Sequence, residues 1–188
     1  SNRYIGLIEK GLKQIERTLR QLLNFGRKEP LKLREVDVDE LIRECFAMMT
    51  YNLERITFEF SLNLKSSFLI DGEALKQVVV NIGLNAIQSI SKTGIISIES
   101  RETEFGITIS ITDNGEGIKA ENMREIFDPF YTTKGVNEGT GLGLSVSYSL
   151  VQQMEGDIKV SKAKNKGSCF RIELPHKKSL PRLVRSTV

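Results

Sequence analysis

Ile107-Thr108-Ile109-Ser110-Ile111-Thr112 alternates apolar and polar side chains without a break and runs into Asp113-Asn114-Gly115-Glu116-Gly117. Strict alternation describes a strand with one face in a core and the other in water. Such a strand belongs to a sheet covered by another layer on one side only. Ile95–Glu104 alternates in the same way, and Phe105-Gly106 joins the two runs as a hairpin. Ile56–Leu62 reads as a half-buried strand, and Leu31–Val36 and Phe68–Ile70 as short ones. Two further strands are expected near Asp157–Ser161 and Ser168–Leu174, around a turn at Asn165-Lys166-Gly167.

Helical spacing separates these runs. Asp37 is placed to cap a helix, with Glu40 three residues on as a capping-box partner, ahead of Leu41, Ile42, Cys45, Phe46 and Met49. Asp71 caps a second helix, whose apolar positions are Leu75, Val78, Val79, Ile82, Ala86 and Ile90. A third runs from Leu142 to about Met154, after a long irregular stretch from Asn114 to about Thr140. Helices and strands interleave without strict βαβ repetition, which predicts an α+β two-layer sandwich on a mixed sheet.

The N-terminal segment differs. Ile5, Leu12 and Leu19 recur every seven residues, as do Ile8, Ile15 and Leu22, before Gly26 and Pro30 interrupt the pattern. This is a coiled-coil-type seam that one helix cannot bury alone. Self-association into a bundle is the expected use, with packing back onto the same domain as the alternative. The chain then divides into a seam helix at 1–28, a globular domain at 29–176 and a tail at 177–188. The formal charge of +3 is uneven, with nine Lys/Arg against four Asp/Glu in residues 1–35 and fourteen against twenty in residues 36–175. An acidic middle with basic ends points away from a nucleic-acid groove. Cys45 and Cys169 stand far apart in apolar settings and read as reduced core residues, so a cytoplasmic setting is expected. One histidine and no paired cysteines argue against structural zinc. No run approaches the roughly 18 apolar residues of a membrane span.

Four clusters carry chemistry. Asn81 and Asn85 stand at i and i+4 on one helix face. A neutral amide oxygen suits Mg²⁺ when phosphates supply the charge, although an ordinary polar surface pair has the same spacing. Asp113 ends its strand at a sheet edge, where a carboxylate can accept from an exocyclic amine such as adenine's. Gly115 and Gly117 let a flat ligand approach the backbone, and a plain Asn-Gly turn is the alternative. Gly139-Thr140-Gly141-Leu142-Gly143-Leu144 opens a helix with exposed N–H groups, a natural phosphate site or a plain glycine-rich loop. Ile126-Phe127-Asp128-Pro129-Phe130-Tyr131-Thr132-Thr133-Lys134 reads as a lid rooted by Phe127 and Phe130, or as a surface loop.

Their order is more specific than any one of them. Asn-x-x-x-Asn, Asp-x-Gly-x-Gly, Phe-x-Pro-Phe and Gly-Thr-Gly-Leu-Gly-Leu together resemble the N, G1, F and G2 boxes of sensor histidine kinases. The resemblance implies a Bergerat-type ATP site and a cytoplasmic catalytic domain. It makes Asn85 the Mg²⁺ ligand, Asn81 a phosphate or metal contact and Asp113 the adenine contact, helped by water and Ser168. Gly115, Gly117 and Ile118 would line the base. Phe127, Phe130, Thr133, Lys134, Gly139, Thr140, Gly141, Leu142, Gly143 and Leu144 would hold the lid and phosphates, with Asn81 and Lys134 acting in catalysis. The implied partners are a response regulator receiver domain, a phosphoacceptor-histidine helix and a second copy of the chain.

Two positions refine the expectation. Related ATPases carry a glutamate where this chain has Asn81, and an amide cannot take a proton from water, so a kinase is favoured over an ATPase. The sole histidine, His176, lies beyond the last strand without the setting of a phosphoacceptor. The chain is therefore expected to be a fragment that lacks the acceptor helix. A non-catalytic dimerisation module is the remaining alternative.

Overall fold

The alternating runs form strands in the computed structural model, which describes residues 30–49, 53–133, 140–164 and 166–176, although the run expected over Leu31–Val36 is a strand only from Arg34. The seam helix expected over 1–28 and the tail 177–188 lie outside the described residues. The elements are β1 (Arg34–Val36), α1 (Val38–Met49), β2 (Ile56–Leu62), β3 (Phe68–Ile70), α2 (Gly72–Ser89), β4 (Gly94–Thr103), β5 (Gly106–Asp113), α3 (Gly143–Gln153), β6 (Asp157–Lys162) and β7 (Ser168–Pro175). Two short 3₁₀ turns, Ala120–Asn122 and Glu125–Phe127, interrupt the irregular stretch.

The main sheet has the order β2-β4-β5-β7-β6. The pair β2–β4 is parallel and the others are antiparallel, so the sheet is mixed as expected. β1 and β3 pair antiparallel as a separate ribbon. Register brings the apolar positions into rows: Ile98 faces Ile111, which faces Phe170, and Ser100 faces Ile109, which faces Ile172. Ile98, Ile109 and Ile172 are completely buried, and burying each such side chain contributes about 2–3 kcal/mol. Leu75, Val78, Val79 and Ile82 of α2 and Val38, Ile42 and Phe46 of α1 close the other side of the core. The opposite sheet face is polar, with Ser97 donating to Glu59 at 3.0 Å and Lys159 to Glu173 at 2.7 Å.

Two details depart from the sequence reading. β2 is more exposed than a half-buried strand, because it is an edge strand with a neighbour on one side only. Phe46 holds Phe58 and Phe60 there with ring centroids 5.8 Å apart. Asp113 ends the middle strand of the sheet and not an edge, so it is walled by neighbours on both sides.

The helices are fixed at their ends by side chains. Asp37 accepts from the Glu40 N–H at 3.0 Å, the N-cap half of the expected capping box. Asp39 accepts from the buried Ser100 hydroxyl at 2.6 Å and from the Leu64 N–H at 3.0 Å, tying α1 to the sheet. Asp71 caps α2 through the Ala74 N–H at 3.0 Å and also accepts from the Lys32 N–H at 2.7 Å. At the other end of α2, the Arg55 guanidinium donates to the carbonyls of Ile87, Ile90 and Lys92. A cation there also complements the helix dipole. Both cysteines are free thiols: Cys45 is fully buried and Cys169 half-buried.

Candidate functional site

β5 ends in a carboxylate because its inward parity continues from Ile107, Ile109 and Ile111 to residue 113. Asp113 is only 3% exposed. Its Oδ1 accepts from the Ser89 hydroxyl and from the Gly115 N–H, both at 2.8 Å. Burial pushes its carboxyl above the usual carboxylate range, while Ser89 and the N–H groups of Gly115 and Ser168 pull it back. Ser168, also 3% exposed, begins β7 beside it.

The glycines around Asp113 are sites of close approach. A Cβ on Gly115 would fall 2.1 Å from the Ser89 hydroxyl oxygen, so the loop after β5 lies directly on the end of α2. Glu116 secures that contact by donating its N–H to the Ser89 carbonyl at 3.1 Å. Gly167 has φ +99°, and a Cβ there would fall 2.0 Å from the Asp113 carbonyl oxygen. Gly117 has φ +80° and lies beside Gly167, with the half-buried Ile118 following it.

Asn81 and Asn85 are both half-buried on α2 and have different surroundings. The Asn81 amide donates to the Gly143 carbonyl at 3.0 Å and to the Ser147 hydroxyl at 3.2 Å, joining α2 to the start of α3. Asn85 makes no hydrogen bond to a described residue, which leaves its amide oxygen open. No three His, Cys, Asp or Glu side chains cluster as a metal site among the described residues. A cation here would therefore need oxygens from its ligand as well as the Asn85 amide.

α3 starts at Gly143 after Leu142, and no side chain caps it. Its first N–H groups are thus available to an anion. Thr140 accepts from the Leu142 N–H through its hydroxyl at 3.4 Å. Gly141 has φ +65° and Phe130 has φ +68°, and the Phe130 N–H donates to the Gly141 carbonyl at 3.0 Å. The segment from Phe130 to Gly141 is therefore closed at its root by backbone. Phe127 packs on the core and against the Tyr148 ring at 5.5 Å. Phe130 does not share that role: its left-handed backbone turns the ring outward, and it is 63% exposed. Leu142 is buried, Leu144 packs on the core and Thr133 is exposed. Lys134 and Gly139 lie outside the described residues.

Ser89, Asn114 and Ser147 are the contributors that motif reading passed over. Ser89 stands four residues after Asn85 and eight after Asn81, so helical spacing alone places it on their face. Asn114 accepts from the Ile95 N–H at 2.9 Å, closing the end of β4 against the loop. His176 donates its N–H to the Phe105 carbonyl, at the opposite end of β5 from Asp113. The rise of about 3.4 Å per residue along β5 separates the two by roughly 24 Å.

A buried carboxylate, an open amide and an uncapped helix start thus converge on one end of the sheet. Residues 70–178 match the family of histidine kinase-, DNA gyrase B- and HSP90-like ATPases. The chain belongs to this family. Among curated relatives of this histidine kinase-like ATPase domain, the sensor histidine kinase ZraS of Escherichia coli (strain K12) is 37% identical over 172 residues, which cover 90% of this chain and 37% of ZraS. The histidine kinase ThkA, solved in complex with the response regulator protein TrrA, has a TM-score of 0.78 and 28% identity, covering 93% of this chain and 51% of that one. Full-length ShkA, solved in complex with AMPPNP, shares the fold at a TM-score of 0.83 and 22% identity, over 95% of this chain and 39% of ShkA. The chain spans well under half the length of the curated relatives it matches. No described helix is long and apolar enough to cross a membrane.

Proposed function

We propose that this chain binds Mg·ATP and serves as the catalytic region of a cytoplasmic protein histidine kinase. Asp113 takes the adenine amino group, with Gly115, Gly117, Ile118 and Ser168 around the base. The N–H groups at the start of α3, between Thr140 and Leu144, take the phosphates, and Lys134 and Thr133 complete the lid over them. Asn85 fits as the protein ligand to Mg²⁺, because its amide oxygen faces no competing partner among the described residues. When bound, Mg²⁺ offsets charge on the phosphate oxygens. The protein's own contribution is to orient the nucleotide and exclude water. In the transfer step an imidazole nitrogen forms the P–N bond while the bond to the β–γ bridging oxygen breaks and ADP leaves. The imidazole proton passes to a base beside the acceptor.

Residue 81 carries the choice of kinase over ATPase. Its amide nitrogen is occupied by Gly143 and Ser147, and an amide has no basic site to activate water. His176 lies about one sheet length from Asp113, so the acceptor is a histidine outside residues 30–176. As the motif resemblance implies, that histidine sits on a dimerisation helix of a homodimeric full-length protein and passes the phosphate to a response regulator receiver domain; the complex of the similar histidine kinase ThkA with the response regulator protein TrrA supports the last step.

Calorimetric titration with Mg·ATP tests the reading, followed by addition of a separately made acceptor helix. The expected result is saturable binding without continuing hydrolytic heat, then acid-labile phosphate on the added segment. Steady hydrolysis in the absence of acceptor would favour the ATPase, and no binding would overturn both readings.

A further inference from the structure

We propose that Ser89 is a positioning residue for adenine recognition, fixing the Asp113 carboxylate so that only one of its edges is presented to the base. This deepens the reading of Asp113 given above and rests on it. The observation is the geometry at the end of α2. The Ser89 hydroxyl lies 2.8 Å from Asp113 Oδ1 and 2.8 Å from the Ala86 carbonyl oxygen. A hydroxyl has one proton to donate. Facing an ionised carboxylate, it goes to Oδ1, since a charged acceptor makes the stronger bond. Gly115 donates to the same oxygen. Two donors on Oδ1, from a helix on one side and a loop on the other, stop the carboxylate from rotating about its last torsion. That assigns Oδ2 to the ligand amine, with the Ser168 N–H as the further backbone donor at the carboxylate.

Ser89 also holds the loop that carries Gly115. Its carbonyl accepts from Glu116, and its side chain fills the space that a Cβ on Gly115 would need. The two roles separate cleanly by mutation. Ser89→Ala keeps the backbone bond to Glu116 and removes only the hydroxyl.

The electrostatic consequence has a definite sign. Burial raises the Asp113 carboxyl, and the Ser89 hydroxyl opposes that rise, followed by the N–H groups of Gly115 and Ser168 and its own backbone. Burial and hydrogen bonds are the leading influences on this carboxyl, ahead of any charged side chain. Without the hydroxyl, Asp113 takes up its proton at a higher pH. A protonated carboxyl can no longer accept equally well from an amine, so nucleotide affinity begins to fall at a higher pH on acidification.

The experiment is calorimetric titration of wild type, Ser89→Ala and Asp113→Asn with Mg·ATP from pH 5 to pH 8. Melting curves of the nucleotide-free proteins run alongside. The expected result for Ser89→Ala is a folded protein that binds about tenfold more weakly at pH 7, the cost of ordering on binding a carboxylate that the hydroxyl no longer holds. The acid limb of its affinity profile moves to higher pH than in wild type. Protonation of the ATP phosphates is common to both proteins and cancels in the comparison. An unchanged affinity and unchanged acid limb would overturn the proposal. So would an equal loss at every pH, which is the signature of a merely structural residue. Wild-type affinity in Asp113→Asn, or no binding by wild type, would instead overturn the reading of Asp113, and the role of Ser89 would fall with it.

Discussion

Replacing Gly141 by alanine tests whether the backbone clasp at the start of α3 prepares the phosphate end of the site. Two costs can be worked from the geometry. Gly141 has φ +65°, where an alanine loses about 1 kcal/mol relative to glycine. Its Cβ would also fall 2.4 Å from the Phe130 carbonyl carbon and 2.6 Å from the oxygen. Those atoms are backbone and cannot rotate aside, so the two strands of the root must separate. Separation breaks the bond from the Phe130 N–H to the Gly141 carbonyl, worth about 1 kcal/mol. Together about 2 kcal/mol opposes the closed root, which corresponds to roughly a 30-fold weaker apparent affinity for any ligand that needs it. The assay is competition calorimetry with Mg·ATP and with adenosine. Mg·ATP is expected to lose about 30-fold, while adenosine, which reaches only the Asp113 end, stays within twofold. Unchanged Mg·ATP binding, or an equal loss for both ligands, would refute the reasoning.

Three further outcomes are expected. Asp113→Asn abolishes most nucleotide affinity yet leaves the protein as stable as wild type or more so at pH 7. Burial raises the folded-state carboxyl, so wild type is penalised for keeping it ionised. That penalty grows as pH rises from the ordinary carboxylate range through the raised folded value. Urea melts at pH 3.5 and pH 7 should therefore show the stability gap opening only at the higher pH. Arg55→Ala removes all three donors at the end of α2 and should cost about 2 kcal/mol in urea unfolding; a loss below about 0.5 kcal/mol would show that water replaces it. One thiol per native chain should react with a disulfide reagent at pH 8. Cys45 is fully buried with its thiol pushed up to about 11 by burial, whereas Cys169 is half-buried on the open sheet face.

Where a physical rule acts within a few residues, the sequence was legible. Alternation located the strands and helical spacing the helices. Asp37 and Asp71 marked two helix starts through the same local hydrogen bond. Strand order was not legible in this way. By its neighbours alone Asp113 reads as a sheet edge, because nothing near residue 113 reports that β7 pairs on the far side of its strand. That pairing joins Thr112 to Cys169 across more than fifty residues of chain. The exposure of Phe130 was missed for a related reason. Its left-handed backbone is bonded to Gly141, eleven residues away, a pairing that its own aromatic neighbours do not report. Ser89 is illegible in the sequence because a single serine carries no motif. Its role appears only when the loop after β5 folds back onto it.

The helix α2 can also be seen as a ruler. Asn81 touches the first residue of α3, and Ser89 touches the carboxylate at the end of β5. Eight residues at 1.5 Å each set these points roughly 12 Å apart, with Asn85 midway between them. Asp71 and Arg55 pin the two ends of the rod, so neither mark can slide along it. The separation between the two halves of the site is therefore written in the pitch of a helix. On the proposed reading of the site, a fixed rise per residue would then select ligands by their span as well as by their chemistry.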